Sequence, residues 1–132
     1  MSYYSSADGS IEFNTPITPE RFYELVSNQP YEIIAGRTEF LHDKYRDFLS
    51  LNDDLLLGFE VDSDGHLTHP KNYLEDCRRY HDETIFKALA PYLKNTRLCY
   101  VGEDGEHWAL EIEDGKLFYL DGEITYTNKT EV

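Results

Sequence analysis

The chain has few basic residues, few sulfur-containing residues and no long hydrophobic run. Its 132 residues include 12 Lys or Arg, two Cys and a single Met. No segment approaches the roughly 18 to 20 consecutive apolar residues of a membrane-spanning helix. The first ten residues, MSYYSSADGS, lack the basic and apolar regions of a secretory signal peptide. We therefore expect a cytoplasmic protein.

The shortage of basic residues leaves a strong excess of acids. With 26 Asp or Glu, the formal net charge is −14 and the sequence pI is about 4.5. Binding to DNA, RNA or anionic lipid draws most of its affinity from Lys and Arg, so this composition disfavours all three. An acidic surface attracts basic proteins instead. Acidity also serves solubility alone, and that alternative stays open.

In a reducing cytoplasm the two cysteines are expected to be free thiols. We predict Cys77 on the core face of a helix and Cys99 on the core face of a strand, where a thiol behaves as a small apolar group. A nucleophilic cysteine would need a histidine beside its thiolate. Cys77 with His81 and Cys99 with His107 are weak candidates, the second because its members are predicted on opposite faces of a sheet.

Residue types that bind metals occur, but without the spacing of a known motif. Glu60, Asp62, Asp64 and Gly65 resemble the opening of an EF-hand loop, yet Lys71 stands where a bidentate Glu is required. A zinc set would have to be assembled at generic spacing, with no CxxC or HExxH motif; its members are His66, His69, Cys77 and His81. No Gly-rich phosphate loop is present. We therefore predict no catalytic residues, no cofactor and no metal.

The chain does contain enough apolar material for one folded domain. Hydrophobic residues make up 40% of it, including 11 Tyr and 7 Phe, whereas disordered chains are poor in aromatic residues. A length of 132 residues lies in the usual range for one domain with one core. We predict a single domain over residues 1–132.

Residues 97–127 have the pattern of a three- to four-stranded antiparallel meander. Asp104-Gly105, Asp114-Gly115 and Asp121-Gly122 separate its alternating runs, and Asp-Gly suits a two-residue type I′ turn. Such turns pair Val101 with Trp108, Cys99 with Leu110, Glu113 with Lys116, Ile112 with Leu117, Leu110 with Tyr119, Tyr119 with Ile124, and Leu117 with Tyr126. Side chains alternate along a strand, so the predicted core face consists of Cys99, Val101, Trp108, Leu110, Ile112, Leu117, Tyr119, Ile124 and Tyr126.

The first helix has the clearest start signal in the chain. Thr18 is a suitable N-cap, Pro19 occupies the first helical position, and Ile17 and Phe22 have the spacing of a hydrophobic staple. Before this helix, residues 9–15 are predicted to form a strand.

The middle of the chain is less clearly patterned. Residues 31–36 are predicted as a short strand and 38–51 as a second helix, with a long loop holding two short elements as the alternative. Residues 55–61 are predicted as a strand that returns over 66–69. A third helix is predicted over 72–93, with a kink or an end near Ala90 because Pro91 removes a backbone donor.

These elements predict an α+β fold. We expect a single antiparallel sheet with a C-terminal three- to four-stranded meander, and two to three helices packed on the face that carries Trp108.

The acidic meander is the feature that most favours a function. Residues 101–132 contain nine acids and two lysines, which is half of the net charge in a quarter of the chain. The predicted outer face adds exposed aromatic and apolar groups, a composition that suits docking of a basic protein. The residues predicted to contact that partner are Tyr100, Glu103, Asp104, Glu106, Glu111, Glu113, Phe118 and Leu120. A solvated acidic face is the alternative.

Two stretches resemble small uncharacterised α+β proteins of actinobacteria and their phages. The matching positions are Met1 to Tyr3, Gly9 to Phe13, Pro16 to Thr18, Trp108, and Asp114 to Lys116. They correspond to a Met-Ser-Tyr start, a strand leading to a helix, and a Trp-bearing hairpin that ends in Asp-Gly-(Lys/Arg). The resemblance covers about a third of the chain. It implies an origin and a fold, and it transfers no site residues.

Our leading hypothesis is a non-enzymatic, acidic, phage-encoded binding protein that engages and inhibits a basic host protein. The target would be a nucleic-acid-binding protein or a nuclease, with the acids partly mimicking phosphates. A related hypothesis is an immunity protein that neutralises a basic toxin. A different class is a small-ligand-binding protein or enzyme in which His42, His66 and His69 form a pocket. Homodimerisation through the second face of the sheet stays open.

Overall fold

A five-stranded antiparallel sheet forms the centre of the molecule. The computed structural model describes residues 5–69, 73–77, 82–122 and 129–131. The strands of the sheet are β1 (Ser5–Asp8), β6 (Tyr73–Cys77), β7 (Thr96–Gly102), β8 (His107–Glu113) and β9 (Lys116–Asp121), in the spatial order β6-β1-β7-β8-β9. Two smaller hairpins stand apart from it: β2 (Pro30–Ile34) with β3 (Arg37–Phe40), and β4 (Glu60–Val61) with β5 (Leu67–Thr68).

The helices are short and pack on one face of the sheet. They are α1 (Pro19–Val26), α2 (Leu41–Lys44), α3 (Phe48–Asp54) and α4 (Asp82–Leu89), and a 3-10 turn at Ala90–Tyr92 follows α4. Helix α1 contacts α3 and α4, and α4 contacts β9. Among the described helices, none has the length and apolar character to cross a membrane. The predicted α+β class with a C-terminal meander is confirmed.

The core lies between these helices and the face of the sheet that carries Leu98, Tyr100 and Leu110, which we call the inner face. Its fully buried side chains include Phe22, Phe86, Leu41, Leu51, Leu57, Ile85, Leu89, Leu93, Leu98 and Ile112. Phe22 packs edge-on against Phe48 at 5.5 Å between ring centroids. Burial of such side chains contributes about 1.5–3 kcal/mol each before the entropy of folding is subtracted.

The β8–β9 hairpin has the predicted register. Glu113 pairs with Lys116, Ile112 with Leu117, and Leu110 with Tyr119. Asp114 and Gly115 have φ values of 52° and 78°, as a type I′ turn requires. Glycine tolerates this backbone region and Asp adopts it at little cost. The pairs predicted for Ile124 and Tyr126 lie outside the described residues.

The β7–β8 hairpin is shifted by one residue from the prediction. Val101 pairs with His107, Tyr100 with Trp108, and Cys99 with Ala109. The connection is a three-residue loop, because Gly102 N–H donates to Glu106 O at 2.9 Å and Gly105, with φ 82°, closes it. A shift of one residue moves every side chain of a strand to the other face. The predictions that Cys99 and Val101 face the core are therefore wrong, while Trp108, Leu110, Ile112, Leu117 and Tyr119 do share the inner face.

The start of α1 is confirmed and the strand predicted before it is not. Thr18 Oγ1 accepts a hydrogen bond from Arg21 N–H at 3.2 Å, and Ile17 and Phe22 are both buried. The chain leaves the sheet at Gly9, where φ is +142° and a Cβ would lie 2.6 Å from the carbonyl oxygen of Arg97. Residues 10–15 run beside 92–96 instead, with one bridge between Phe13 and Leu93.

The helix predicted over 38–51 is replaced by β3, α2 and α3. Tyr45 has extended backbone angles that end α2, and Asp47 begins α3 by accepting a hydrogen bond from Ser50 N–H at 2.9 Å. A strong N-cap at Asp47 thus starts a new helix where the apolar spacing predicted a continuous one. The predicted strand 55–61 is reduced to β4, because Leu56 and Gly58 adopt positive φ.

The segment predicted as one helix over 72–93 contains a strand and a shorter helix. Tyr73–Cys77 form β6, which pairs with β1, so the placement of Cys77 on a helix is wrong. Pairing satisfies the backbone groups on the edge of β1 that would otherwise be open. Among the described residues, the helix covers Asp82–Leu89. The predicted end near Ala90 is confirmed.

Three tyrosines connect α2 with its neighbours α1, β2 and α3. Tyr23 Oη donates to the carbonyl oxygen of Tyr45 at 2.6 Å, and Tyr45 Oη donates to Asp54 Oδ2 at 2.5 Å. Lys44 Nζ donates to Tyr31 Oη at 2.7 Å. Burial and the hydrogen bond to Asp54 raise the pKa of Tyr45 well above its ordinary value.

This raised pKa predicts a pH dependence of stability. Tyr45 stays neutral in the folded state but ionises in the unfolded state near pH 10, so its contribution is complete below pH 10 and is lost as the pH rises further. Tyr45→Phe should cost about 1.5–3 kcal/mol at pH 8, because it removes a hydrogen bond to a carboxylate. Urea unfolding should then show the difference between wild type and Tyr45→Phe narrowing from pH 8 to pH 11. A constant difference would contradict the assignment.

Candidate interaction surface

The face of the sheet opposite the helices, which we call the outer face, carries exposed apolar side chains. Val101 and Phe118 are 42% and 44% exposed. Cys99 is also exposed, Leu120 is partly buried and Ala109 is buried. Adjacent strands bring these groups together, since Cys99 pairs with Ala109 and Ala109 with Leu120. The result is an apolar stripe that crosses β7, β8 and β9.

The basic residues of the outer face are already matched by acids. Arg97 Nη2 donates to Glu111 Oε1 at 3.0 Å, and Lys116 lies directly opposite Glu113. Residues 97–122 contain seven acidic and two basic side chains, so most of their acids have no such basic neighbour across the strands. Exposed pairs of this kind contribute only about 0–1 kcal/mol each. On the strands of the outer face these two acids and two basic residues cancel, so the excess negative charge of residues 97–122 lies in the turns and on Asp121.

The loop between β7 and β8 concentrates the acids at one end of the sheet. Glu103, Asp104 and Glu106 are all exposed there. Three carboxylates within four residues give a negative potential that extends beyond the loop. We call this loop the acidic tip.

The predicted aromatic contact Tyr100 is not on the outer face. It is 2% exposed, its ring stacks on Trp108 at 5.4 Å between centroids and 7° between planes, and its Oη donates to Asp82 Oδ2 at 2.7 Å. The prediction that places Tyr100 on the outer face is therefore wrong, and the three-residue loop is the reason. Glu103, Asp104, Glu106, Glu111, Glu113, Phe118 and Leu120 do lie on the tip or the outer face.

Beside the acidic tip is a pocket that the sequence did not reveal. It has a volume of about 430 Å³ and is lined by Gly105, Glu106, His107, Trp108, Tyr119, Asp121 and Gly122. Trp108 lies directly opposite Asp121 on the neighbouring strand. Burial and the neighbouring Asp121 raise the pKa of Tyr119. We call this cavity the tip pocket; the correct β7–β8 register would have been needed to find it.

The three histidines proposed for a pocket do not come together. His66 and His69 line one cavity, which His42 does not reach. His42 stacks on Phe40 at 5.6 Å and is exposed. His69 is buried, and its Nε2 lies 2.9 Å from the carbonyl oxygen of Leu57.

The turn over Asp62 to His66 brings three metal-ligating groups close together. The side chains of Asp62, Asp64 and His66 have ligand atoms within 4.8 Å of one another. Asp62 Oδ1 already accepts hydrogen bonds from the backbone of Asp64 and His66, each at 2.9 Å, and these bonds lower its pKa. The turn geometry accounts for the Asp62 side chain, as the hairpin interpretation of this segment predicted.

The candidate cysteine–histidine pair Cys99 and His107 lies on one face, not on opposite faces as predicted. Cys99 pairs with Ala109 and His107 with Val101, so the two are diagonal neighbours on the outer face. The side chains of Cys77 and His81 lie outside the described residues.

Comparison of the chain with protein-family models, curated proteins and solved structures gave no match. The resemblance to small actinobacterial and phage proteins therefore stays a prediction.

Proposed function

We propose that this protein is a non-enzymatic binding protein that uses the outer face and acidic tip of its meander to engage and inhibit a basic protein. The observation that carries the proposal is the apolar stripe with exposed Val101 and Phe118 beside Glu103, Asp104 and Glu106. An apolar centre with a charged margin is the arrangement of protein–protein interfaces. The negative charge of the acidic tip favours a basic protein as the partner.

Physical chemistry divides the roles of these groups. The acidic tip would raise the association rate with a basic partner and suppress binding to acidic ones. Phe118 and Val101 would contribute affinity by being removed from water, and aromatic side chains are the commoner energetic anchors of interfaces. Inhibition would follow where the partner uses the same basic surface for phosphates, because the carboxylates occupy it. A nuclease, a nucleic-acid-binding protein or a basic toxin meets this description.

The test is a capture experiment followed by measurements with the purified partner. The protein is immobilised, exposed to a lysate of its source cells, and the retained basic protein is purified for calorimetry. Glu103→Lys/Asp104→Lys on the acidic tip should weaken binding at least tenfold, because two attractive contacts become repulsive. Glu111 and Glu113 are avoided since they lie opposite Arg97 and Lys116. Phe118→Ala should weaken binding with less dependence on salt.

The matched control is Asp53→Lys/Glu60→Lys, which changes the net charge equally at exposed residues outside the meander. Its affinity should stay within about twofold of wild type at 150 mM salt, where charges farther apart than about 8 Å are largely screened. Equal weakening by both double variants would show that only net charge matters and would overturn the proposed surface. Self-association lost in Phe118→Ala would replace the basic partner with a second copy of the chain.

A further inference from the structure

We propose that the tip pocket, which lies where the acidic tip meets the inner face, receives one arginine side chain of a basic partner that reaches around the tip, an inference that rests on the proposed function. The pocket combines aromatic walls, Trp108 and Tyr119, with the carboxylates of Glu106 and Asp121. Aromatic rings attract cations over their faces, and carboxylates bind guanidinium groups through paired hydrogen bonds. The aromatic rings and the carboxylates therefore both favour a guanidinium group as the ligand.

The aromatic wall is held in place from the core. Trp108 stacks on buried Tyr100 with only 7° between the ring planes, and Tyr100 is fixed in turn by its hydrogen bond to Asp82 at the start of α4. Trp108 itself is only partly buried. A rigid ring loses little entropy when a ligand stacks on it, so such a surface binds more favourably than a mobile one.

The charge within the pocket is negative. Glu106 and Asp121 are exposed carboxylates, and among the described lining residues only His107 can carry a positive charge. Glu83 on α4 adds to this field, because it acts together with Asp121 and Glu106 in raising the pKa of Tyr119. Tyr119 and Asp121 are two residues apart on β9, so they share one face, and both line the pocket.

Arginine fits these groups better than lysine does. Its guanidinium is planar, stacks on aromatic rings, is less strongly hydrated than an ammonium group and presents a fork of donors to a carboxylate. A volume of about 430 Å³ lies within the roughly 300–1,000 Å³ of small-ligand pockets.

Trp108 makes the test direct, because it is the only tryptophan in the chain. The probe is the peptide acetyl-Gly-Arg-Gly-amide, titrated while the fluorescence of Trp108 is followed. We expect a saturable change with a Kd on the order of 1 mM, a plausible value for one side chain. The lysine peptide should bind several-fold more weakly. The citrulline peptide, which has the same shape without the charge, should give no saturation.

Asp121→Asn should weaken binding of the arginine peptide at least fivefold. The midpoint of thermal unfolding should stay nearly unchanged, since the residue is exposed. Glu106→Gln is the second variant, placed in the β7–β8 loop rather than on β9 in case Asp121→Asn alters the hairpin. The control Asp53→Asn should bind as wild type does. Equal binding of the citrulline and arginine peptides, or no saturation up to about 50 mM, would overturn the inference.

The two proposals fail in different ways. If the peptide does not bind but the purified partner does, and binding needs Glu103 and Phe118, the proposed function stands and the arginine pocket is wrong. If the peptide binds selectively but no basic protein is retained, the pocket chemistry stands and the proposed function is wrong.

Discussion

Replacing Tyr100 with alanine is expected to lower the free energy of unfolding by about 3–5 kcal/mol, the usual cost of removing a large buried aromatic side chain. Tyr100 is 2% exposed, stacks on Trp108 and donates a hydrogen bond to the buried carboxyl of Asp82 at 2.7 Å. Tyr100→Phe keeps the ring and removes that bond, so it should cost about 1.5–3 kcal/mol. Urea denaturation measures both.

Tyr119→Ala is the matched control, because Tyr119 lies on the same sheet but is 55% exposed. It should cost about 1 kcal/mol or less. The comparison also tests the register of the β7–β8 hairpin. If Tyr100→Ala cost no more than Tyr119→Ala while Val101→Ala cost several kcal/mol, the two-residue turn predicted from Asp104-Gly105 would be correct and the observed three-residue loop wrong.

Replacing Asn52 with alanine is expected to destabilise the protein by about 2–5 kcal/mol. The buried amide of Asn52 accepts a hydrogen bond from Phe59 N–H and donates one to Phe59 O, both at 3.1 Å. These two bonds hold the segment that passes from α3 to β4, where no strand partner is available to the backbone of Phe59 in the described structure. Removing the amide leaves the buried N–H and C=O of Phe59 without these hydrogen bonds, and each loss costs about 1–3 kcal/mol.

Asn52→Asp separates the loss of the hydrogen bonds from the loss of volume. The side chain keeps its shape, but a carboxylate oxygen replaces the nitrogen that donates to Phe59 O, so an attraction becomes a repulsion. We expect a destabilisation at least as large as that of Asn52→Ala at pH 7. Asp53→Ala, at an exposed position of the same helix, should cost much less. A change below 1 kcal/mol in both Asn52 variants would show that Phe59 does not depend on this amide.

The sequence predicted the interaction surface correctly only where the predicted register of the strands was correct. The acids of the tip and the exposed position of Phe118 follow from composition and from the Asp114-Gly115 turn, and they were predicted. The burial of Tyr100 and the pocket between Trp108 and Tyr119 depend on the β7–β8 loop. Asp-Gly fits a two-residue type I′ turn and also the end of a three-residue loop with glycine in the left-handed region, so the dipeptide does not decide between them.

The sequence by itself determined the elements whose signals are local. Thr18 and Pro19 start a helix, Asp114-Gly115 closes a hairpin, and Pro91 ends a helix, each through the backbone chemistry of a few neighbouring residues. Only the tertiary structure decided the rest. Residues 73–77 have helical spacing of apolar groups yet form β6, because β1 offers an unpaired edge. Tyr100 turns inward because the core accepts Leu98 and Tyr100 on one face of β7, and that choice depends on packing between residues far apart in the chain.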